Sequence, residues 1–404
     1  MKIKLLFCFM TLSCIGNAQW QNLNTSFQNV AYSIHTCNYD IYAGLGGGGV
    51  YRSQDDGVTW VAVNNGIQMG GAYVFSLTSR NDSIYAGGFG EVSFTHDRGE
   101  NWKVLNLNLW LNNTVYALIV KDNYLFAGVG HDASNGVYRK PLNDTVWTQV
   151  NNGLPANVAV NAFAMNNNFL FAGTDLGVYV STNNGTNWTL ANNGINAGLS
   201  IKSLIAINGN ILAGTSDGLF VSSNNGSSWS YPTNGIPPNS QITCFTSYAN
   251  YVVAGANNTS YFSADNGFSW NNISNGLDSV FYVYSISMND NNIYASASTP
   301  TSLSIFKFPY NALSVFENNV NKDHAWSISP NPFASQTTLQ TDHVFKNATL
   351  IIYNLHGQAV KQIDNLSGQS ITFRRDNLPN GEYFIRLIQD DKVIVTDKLV
   401  IIEN

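Results

Sequence analysis

A tryptophan returns at positions 60, 102, 147, 188, 229 and 270, so successive copies stand 42, 45, 41, 41 and 41 residues apart. Five of the six close the same octet, a hydroxyl residue, Asp or Asn two residues later, Gly two further on, and Trp after two spacers. Its fixed members are Asp55, Gly57 and Trp60, then Asp97, Gly99 and Trp102, then Asn183, Gly185 and Trp188. Asn224, Gly226 and Trp229 follow, and then Asp265, Gly267 and Trp270. The copy ending at Trp147 has lost the glycine. A period of about 40 residues restricts the chain to solenoids and propellers.

Each period holds four short apolar runs bounded by Gly, Asn and Asp, the pattern of strands in tight hairpins. The second run is the clearest marker. It begins as Ile41-Tyr42-Ala43-Gly44 and recurs seven times, with its alanine at 43, 86, 127, 172, 213, 254 and 295. Four strands per period predict a β-propeller over residues 19–313. Seven markers face six tryptophan turns, and the segment Gln19-Trp20-Gln21-Asn22-Leu23-Asn24 resembles the outer strand that starts at Trp147. Trp20 is therefore expected to complete the last blade, which gives seven blades with no free edge at the seam. The fold class is all-β, a seven-bladed propeller followed by a small antiparallel sandwich.

The octet has a physical role in that frame. Its Asp or Asn accepts bonds from turn amides, its Gly supplies a positive φ, and its Trp packs over the hairpin. The motif is similar to the Asp-box, or BNR repeat, of sialidases, sortilin-type receptors, xyloglucanases and photosystem assembly-factor-like proteins. That resemblance implies the fold; the families share no activity.

Only 11% of residues are charged and the net charge is −6, with no basic stripe, so no nucleic-acid partner is expected. Residues 1–18 read as a secretory leader, with Lys2 and Lys4 before an apolar run and Gly16-Asn17-Ala18 at the end. Acylation at Cys14 is the other reading of that segment. The run is too short to span a membrane. Cys37 and Cys244 then remain, in blades that are not neighbours, and are expected as two thiols rather than a disulfide. No cofactor or metal spacing is found.

After residue 313 the repeats stop, and residues 314–325 read as a polar linker. Residues 326–404 read as an antiparallel sandwich of about seven strands. They carry Pro330-Asn331-Pro332 near the start, an Asn-Gly-x-Tyr turn with Gly381 and Tyr383, and a final strand opened by Lys398. In that order these closely resemble the C-terminal sorting domain of the type IX secretion system of Bacteroidetes. The resemblance implies handling by that machinery, transit through periplasm and outer membrane, and a mature chain that is released or held at the cell surface. Asp82-Ser83-Ile84, Asp144-Thr145-Val146 and Asp278-Ser279-Val280 are similar to the O-glycosylation motif of the same bacteria.

Sialidases that bear such boxes need an arginine cluster. The repeats offer Arg52, Arg80, Arg98 and Arg139, read as lying off the innermost strands, and Glu91 and Glu100 are the only glutamates before the linker. Paired carboxylates for glycoside hydrolysis are not evident. The first strands give a more informative pair of columns. Ala31, Val74, Val115, Val160, Ile201, Ile242 and Val283 are uniformly apolar and fit packing between blades. The next position holds Tyr32, Phe75, Tyr116, Asn161, Lys202, Thr243 and Tyr284, a mixture expected to face the central channel. The expected function is non-catalytic binding or adhesion, with a glycan or protein ligand at the channel mouth. A divergent glycan-active hydrolase and an envelope assembly scaffold are the alternatives.

Overall fold

The computed structural model describes residues 18–25, 27–68, 72–107, 109, 113–131, 135–232, 235–277, 280–299, 303–313, 326–354, 359–389 and 392–403. The linker, all of the expected leader except Ala18, and Asp278-Ser279 lie outside them. The described strands form eight antiparallel sheets, seven in the repeats and one in the tail. One short 3-10 turn, Tyr310–Leu313, follows the repeats. Sheet 1 shows the plan, with strands Ala31–Cys37, Asp40–Leu45, Gly49–Ser53 and Val61–Ala62 paired in sequence order. Sheets 2 to 7 have first strands Ser76–Arg80, Thr114–Lys121, Val160–Asn166, Ile201–Ile207, Ile242–Tyr248 and Tyr282–Met288. Each first strand packs beside that of the next sheet, and that of sheet 7 packs beside that of sheet 1.

The repeated Ala-Gly pair sets how closely the sheets can approach. The seven alanines of the second strands are at most 1% exposed. A Cβ at Gly44 would stand 2.5 Å from Val74 Cγ1 of the next sheet, and one at Gly173 would stand 2.7 Å from Ile201 Cγ2. The glycines at 87, 128, 214 and 255 meet Val115, Val160, Ile242 and Val283 in the same way. The seventh marker carries Ser296 in place of glycine, and the next sheet there presents Ala31 in place of Val or Ile. A larger residue on one side is matched by a smaller one on the other, as close packing demands.

The ring closes through Gln21–Asn22, which pairs with Leu303–Pro309 as the outer strand of sheet 7. Trp20 is 2% exposed, and its Nε1 donates to Ile273 O of sheet 6 at 2.8 Å. Trp102, Trp188 and Trp229 donate likewise to Val63 O, Val150 O and Ala191 O of the preceding sheet. Trp60 and Trp270 instead donate to Gly57 O and Gly267 O of their own turns.

The octet is a hairpin lock as expected. Asp55 Oδ1 accepts from Thr59 N at 2.8 Å and Ser53 Oγ accepts from Gly57 N at 2.9 Å, with the same pattern at Asp97, Asn183, Asn224 and Asp265. Its glycines sit at φ between 79° and 91°. A second role was not legible as a pattern, because it falls on a spacer. The residue before the glycine is held each time by the preceding sheet. Tyr294 OH donates to Asp56, Arg98 grips buried Asp40, and Lys121 Nζ donates to Asn184 Oδ1. Asn166 reaches Asn225 and Asn208 reaches Asn266.

Two expectations are corrected. Among the described residues sheet 5 has three strands, Ile201–Ile207, Asn210–Thr215 and Gly218–Ser222, not four. In other sheets the third residue after the tryptophan donates its amide back to the third strand, as Val63 and Ala191 do to Val50 and Val178. Sheet 5 has Pro232 there, which has no N–H, and only a single bridge between Val221 and Ser230 forms. Among the described residues the tail has five strands in one sheet, fewer than the seven expected: Trp326–Ser329, Gln336–Tyr353, Ala359–Arg374, Gly381–Gln389 and Lys392–Ile401. Gln336–Tyr353 is one long strand whose pairing carries register irregularities between residues 340 and 350. The tail motifs meet in space. Asn331 Oδ1 accepts from Val400 N at 2.8 Å, Phe333 bridges Ile401, and Tyr383 OH donates to Pro379 O at 2.9 Å. Lys398 pairs by backbone with Phe384, and its side chain lies outside the described residues.

Candidate functional site at the channel mouth

The uniformly apolar column is buried, with Ala31 6% exposed and the other six fully buried. The mixed column beside it is not. Tyr32, Phe75, Tyr116, Asn161, Thr243 and Tyr284 are half-buried and Lys202 is exposed. The cause is a β-bulge. The register of the first strand against the second shifts across Tyr32, Tyr116, Asn161, Lys202, Thr243 and Tyr284, leaving each as the extra residue. In sheet 2, Phe75 immediately precedes the strand and donates its amide to Gly87 O. A bulge turns one side chain away from the ladder, here at the same place in six of the seven sheets.

Four of the seven side chains come into contact. Ring centroids are 5.8 Å apart for Tyr284 and Tyr32, 5.1 Å for Tyr32 and Phe75, and 6.1 Å for Phe75 and Tyr116. Three aromatics that the column did not single out extend the arc. Tyr73 and Phe89 lie 5.9 and 4.9 Å from Phe75, and Tyr282 lies 4.8 Å from Tyr284. Tyr73 and Tyr282 each stand two residues before a column aromatic, a spacing visible in the sequence once the column is known. His131 is 5.7 Å from Tyr116, so this loop histidine also belongs to the arc.

The remaining column residues, Asn161, Lys202 and Thr243, line a cavity of about 690 Å³ together with Tyr116, Tyr282, His131 and Asp175. Asn161 Nδ2 donates to Asp175 Oδ1 at 2.9 Å and to Ile201 O at 3.1 Å, and Ser200 Oγ donates to the same Asp175 oxygen at 3.2 Å. Thr243 is spent on its neighbours, donating to Val283 O at 2.7 Å. Burial, aided by neighbouring Tyr284 and Tyr73, raises the Tyr32 phenol above its ordinary range. Burial does the same at Tyr116, with Thr114 opposing it and Asp175 adding to it. Both therefore stay protonated at neutral pH and present a donor as well as a ring face.

Other candidates fall elsewhere. Arg80 ends the first strand of sheet 2, an innermost strand, which corrects the reading of all four arginines as lying off those strands. It is exposed at the end of the strand away from Phe75 and donates to Asp122 O. Arg52 and Arg139 donate to the backbone of the next sheet's octet, at Arg98 O and Asn184 O. Cys37 and Cys244 are free thiols. A further repeated element is Asn64-Asn65-Gly66, seen again at 151–153 and 192–194, four residues after the tryptophan. Its first Asn accepts from the third strand at 2.7 Å, and its second offers its carbonyl to the next sheet's Trp amide.

Residues 327–402 match the family model described as the secretion system C-terminal sorting domain, and residues 101–254 match that of the DUF6242 beta propeller domain. No curated protein sequence matches the chain. Similar solved structures include YCF48 from Cyanidioschyzon merolae, 14% identical, TM-score 0.54, covering 73% of this chain and 99% of that one. The extracellular domain described as that of the hybrid two component system BT3049 from B. thetaiotaomicron is 15% identical, TM-score 0.57, covering 96% and 58%. The GH74 xyloglucanase from Xanthomonas campestris is 14% identical, TM-score 0.54, covering 71% and 53%, so this chain spans about half of its length. At such identities the likeness is one of fold, shared by an enzyme and by proteins not described as enzymes. The chain is thus an all-β protein whose repeats are similar to a β-propeller family and whose tail is similar to a secretion-system sorting domain.

Proposed function

We propose that this chain is an exported, non-catalytic binding protein, a seven-bladed Asp-box propeller carried through the type IX system by residues 326–404, whose channel mouth takes a glycan or protein. The tail's likeness to a sorting domain supports export to the cell surface or outside. The observation that carries the binding role is the contiguous arc of rings over sheets 7, 1, 2 and 3, set at bulges in sheets 7, 1 and 3 and just ahead of the first strand in sheet 2. Half-buried rings beside a polar cavity suit recognition of a ligand with apolar and polar faces.

One observation favours the hydrolase alternative. Burial raises the Glu91 carboxyl above its ordinary range, and its Oε2 has no partner among the described residues. Such a group suits a general acid. Glycoside hydrolysis also needs a second carboxylate about 5–10 Å away, and Glu91 is not among the residues lining the cavity that holds Asp175. Incubation of the mature chain with a panel of plant, microbial and host glycans, with product analysis by chromatography, separates the readings. Retention without products is expected; release of shorter saccharides, abolished in Glu91→Gln, overturns the non-catalytic reading.

A further inference from the structure

Resting on the reading of the mouth as the binding site, we infer that its ligand is a neutral glycan, a pyranose with one apolar ring face and two neighbouring hydroxyls. The inference comes from counting which hydrogen-bonding atoms the polar half leaves open. Both Asn161 Nδ2 protons are used, on Asp175 Oδ1 and Ile201 O. Those two partners are acceptors only, so the amide orientation is fixed and Asn161 Oδ1 is an acceptor. Asp175 Oδ1 takes bonds from Asn161 and Ser200, while its Oδ2 has no donor among the described residues. The mouth therefore presents two acceptors, on side chains hydrogen-bonded to each other. Lys202, exposed on the same cavity wall, presents donors.

Adjacent hydroxyls match this arrangement, because each can donate to a carboxylate or amide oxygen while accepting from an ammonium. A peptide strand matches it less well, since its main-chain donors alternate with acceptors along each edge. Charge decides between acidic and neutral sugars. Among the described lining residues the fixed charges are one lysine and one aspartate, beside the single imidazole of His131, so the cavity has no large surplus of positive charge for a carboxylate or sulfate. The ring face of the sugar has its counterpart in Tyr116, which belongs both to the cavity wall and to the aromatic arc. The pyranose then lies with its hydroxyl edge toward sheet 4 and its apolar face on the arc.

The test uses the full mature chain and calorimetric titration with three probe sets: neutral hexasaccharides of glucose, mannose and xylose; hexagalacturonate; and a random hexapeptide mixture. At least one neutral hexasaccharide is expected to bind, with an affinity unchanged between 50 mM and 500 mM salt. Asp175→Ala and Tyr116→Ala are each expected to weaken it about tenfold or more, a loss of about 1.4 kcal/mol or more. Thermal melts of the variants check folding, and Asp175→Asn, which keeps one acceptor oxygen, should retain more affinity than Asp175→Ala. Binding of hexagalacturonate or peptide alone, lost in the same variants, overturns the neutral-glycan inference and leaves the mouth as the site. Neutral-sugar binding that the variants leave untouched overturns the placement at the mouth itself, and no binding by any probe overturns both.

Discussion

Asp97 shows how much a single side chain contributes to the octet. Its carboxylate accepts from Thr95 Oγ1, from Asn101 Nδ2 at 2.9 Å and from Asn101 N at 2.9 Å, and these bonds lower its pKa to about 2. Asp55 is shifted the same way, chiefly by Thr59. A depressed carboxyl stabilises the turn fully above its unfolded value of about 3.9, and that contribution is lost as pH falls through the folded value. Proton chemical shifts should therefore show the Asn101 amide moving with a midpoint near pH 2. The Asn187 and Ser228 amides, which donate to Asn183 and Asn224, should stay still, and equal movement in all four turns would refute the assignment. Glycine makes a second residue-scale case. Gly173→Ala drives a methyl against Ile201 and should cost about 1–3 kcal/mol in urea melts. Combined with Ile201→Ala, the cost should fall short of the sum by about 1 kcal/mol. The pair Ser296 and Ala31 already shows the compensated arrangement, and strict additivity would argue against it.

At the scale of elements, seams between sheets are held by a few groups. Asp40 is 2% exposed, and the Arg98 guanidinium of the next sheet's octet grips both of its oxygens. Arg98→Ala strands a buried carboxylate and should destabilise by about 3 kcal/mol. Glu100→Ala, which removes the exposed partner of Arg52, should cost about 0.5 kcal/mol or less. Trp20→Ala removes the buried anchor of the closing strand and should cost about 3–5 kcal/mol by the same melts. These contrasts bear on what could be read from the chain. The Trp spacing and the Ala-Gly markers disclosed the strand order because each marker is set by its own sheet. The gripping role of Asp56, Arg98, Asn184, Asn225 and Asn266 was hidden, since residues of different chemistry do the same work through different partners. Pro232 was visible and decisive, yet its effect appears only when aligned with Val63 and Ala191.

At the scale of the whole molecule, the candidate site was legible as a column and not as a surface. Seven first-strand positions could be compared because the repeat aligns them, and the loss of uniformity after the apolar column pointed to the channel. The bulge that turns those side chains out carries no residue signature of its own, so Tyr73, Phe89 and Tyr282 joined the site only once the column was placed in three dimensions. The tail was legible by motif and less so by strand count, because Gln336–Tyr353 is one long strand. Removal of residues 326–404 should leave the chain in the periplasm of its host, detected by fractionation. Equal export without the tail would contradict its assigned role. The aromatic arc at the mouth is expected to take the ligand. A crystal structure of the mature chain with a bound oligosaccharide tests it most directly. Density over Tyr32, Phe75, Tyr116 and Tyr284, reaching Asp175, is the predicted result. Density on the outer strands or at the octet turns, with the mouth empty, would contradict it.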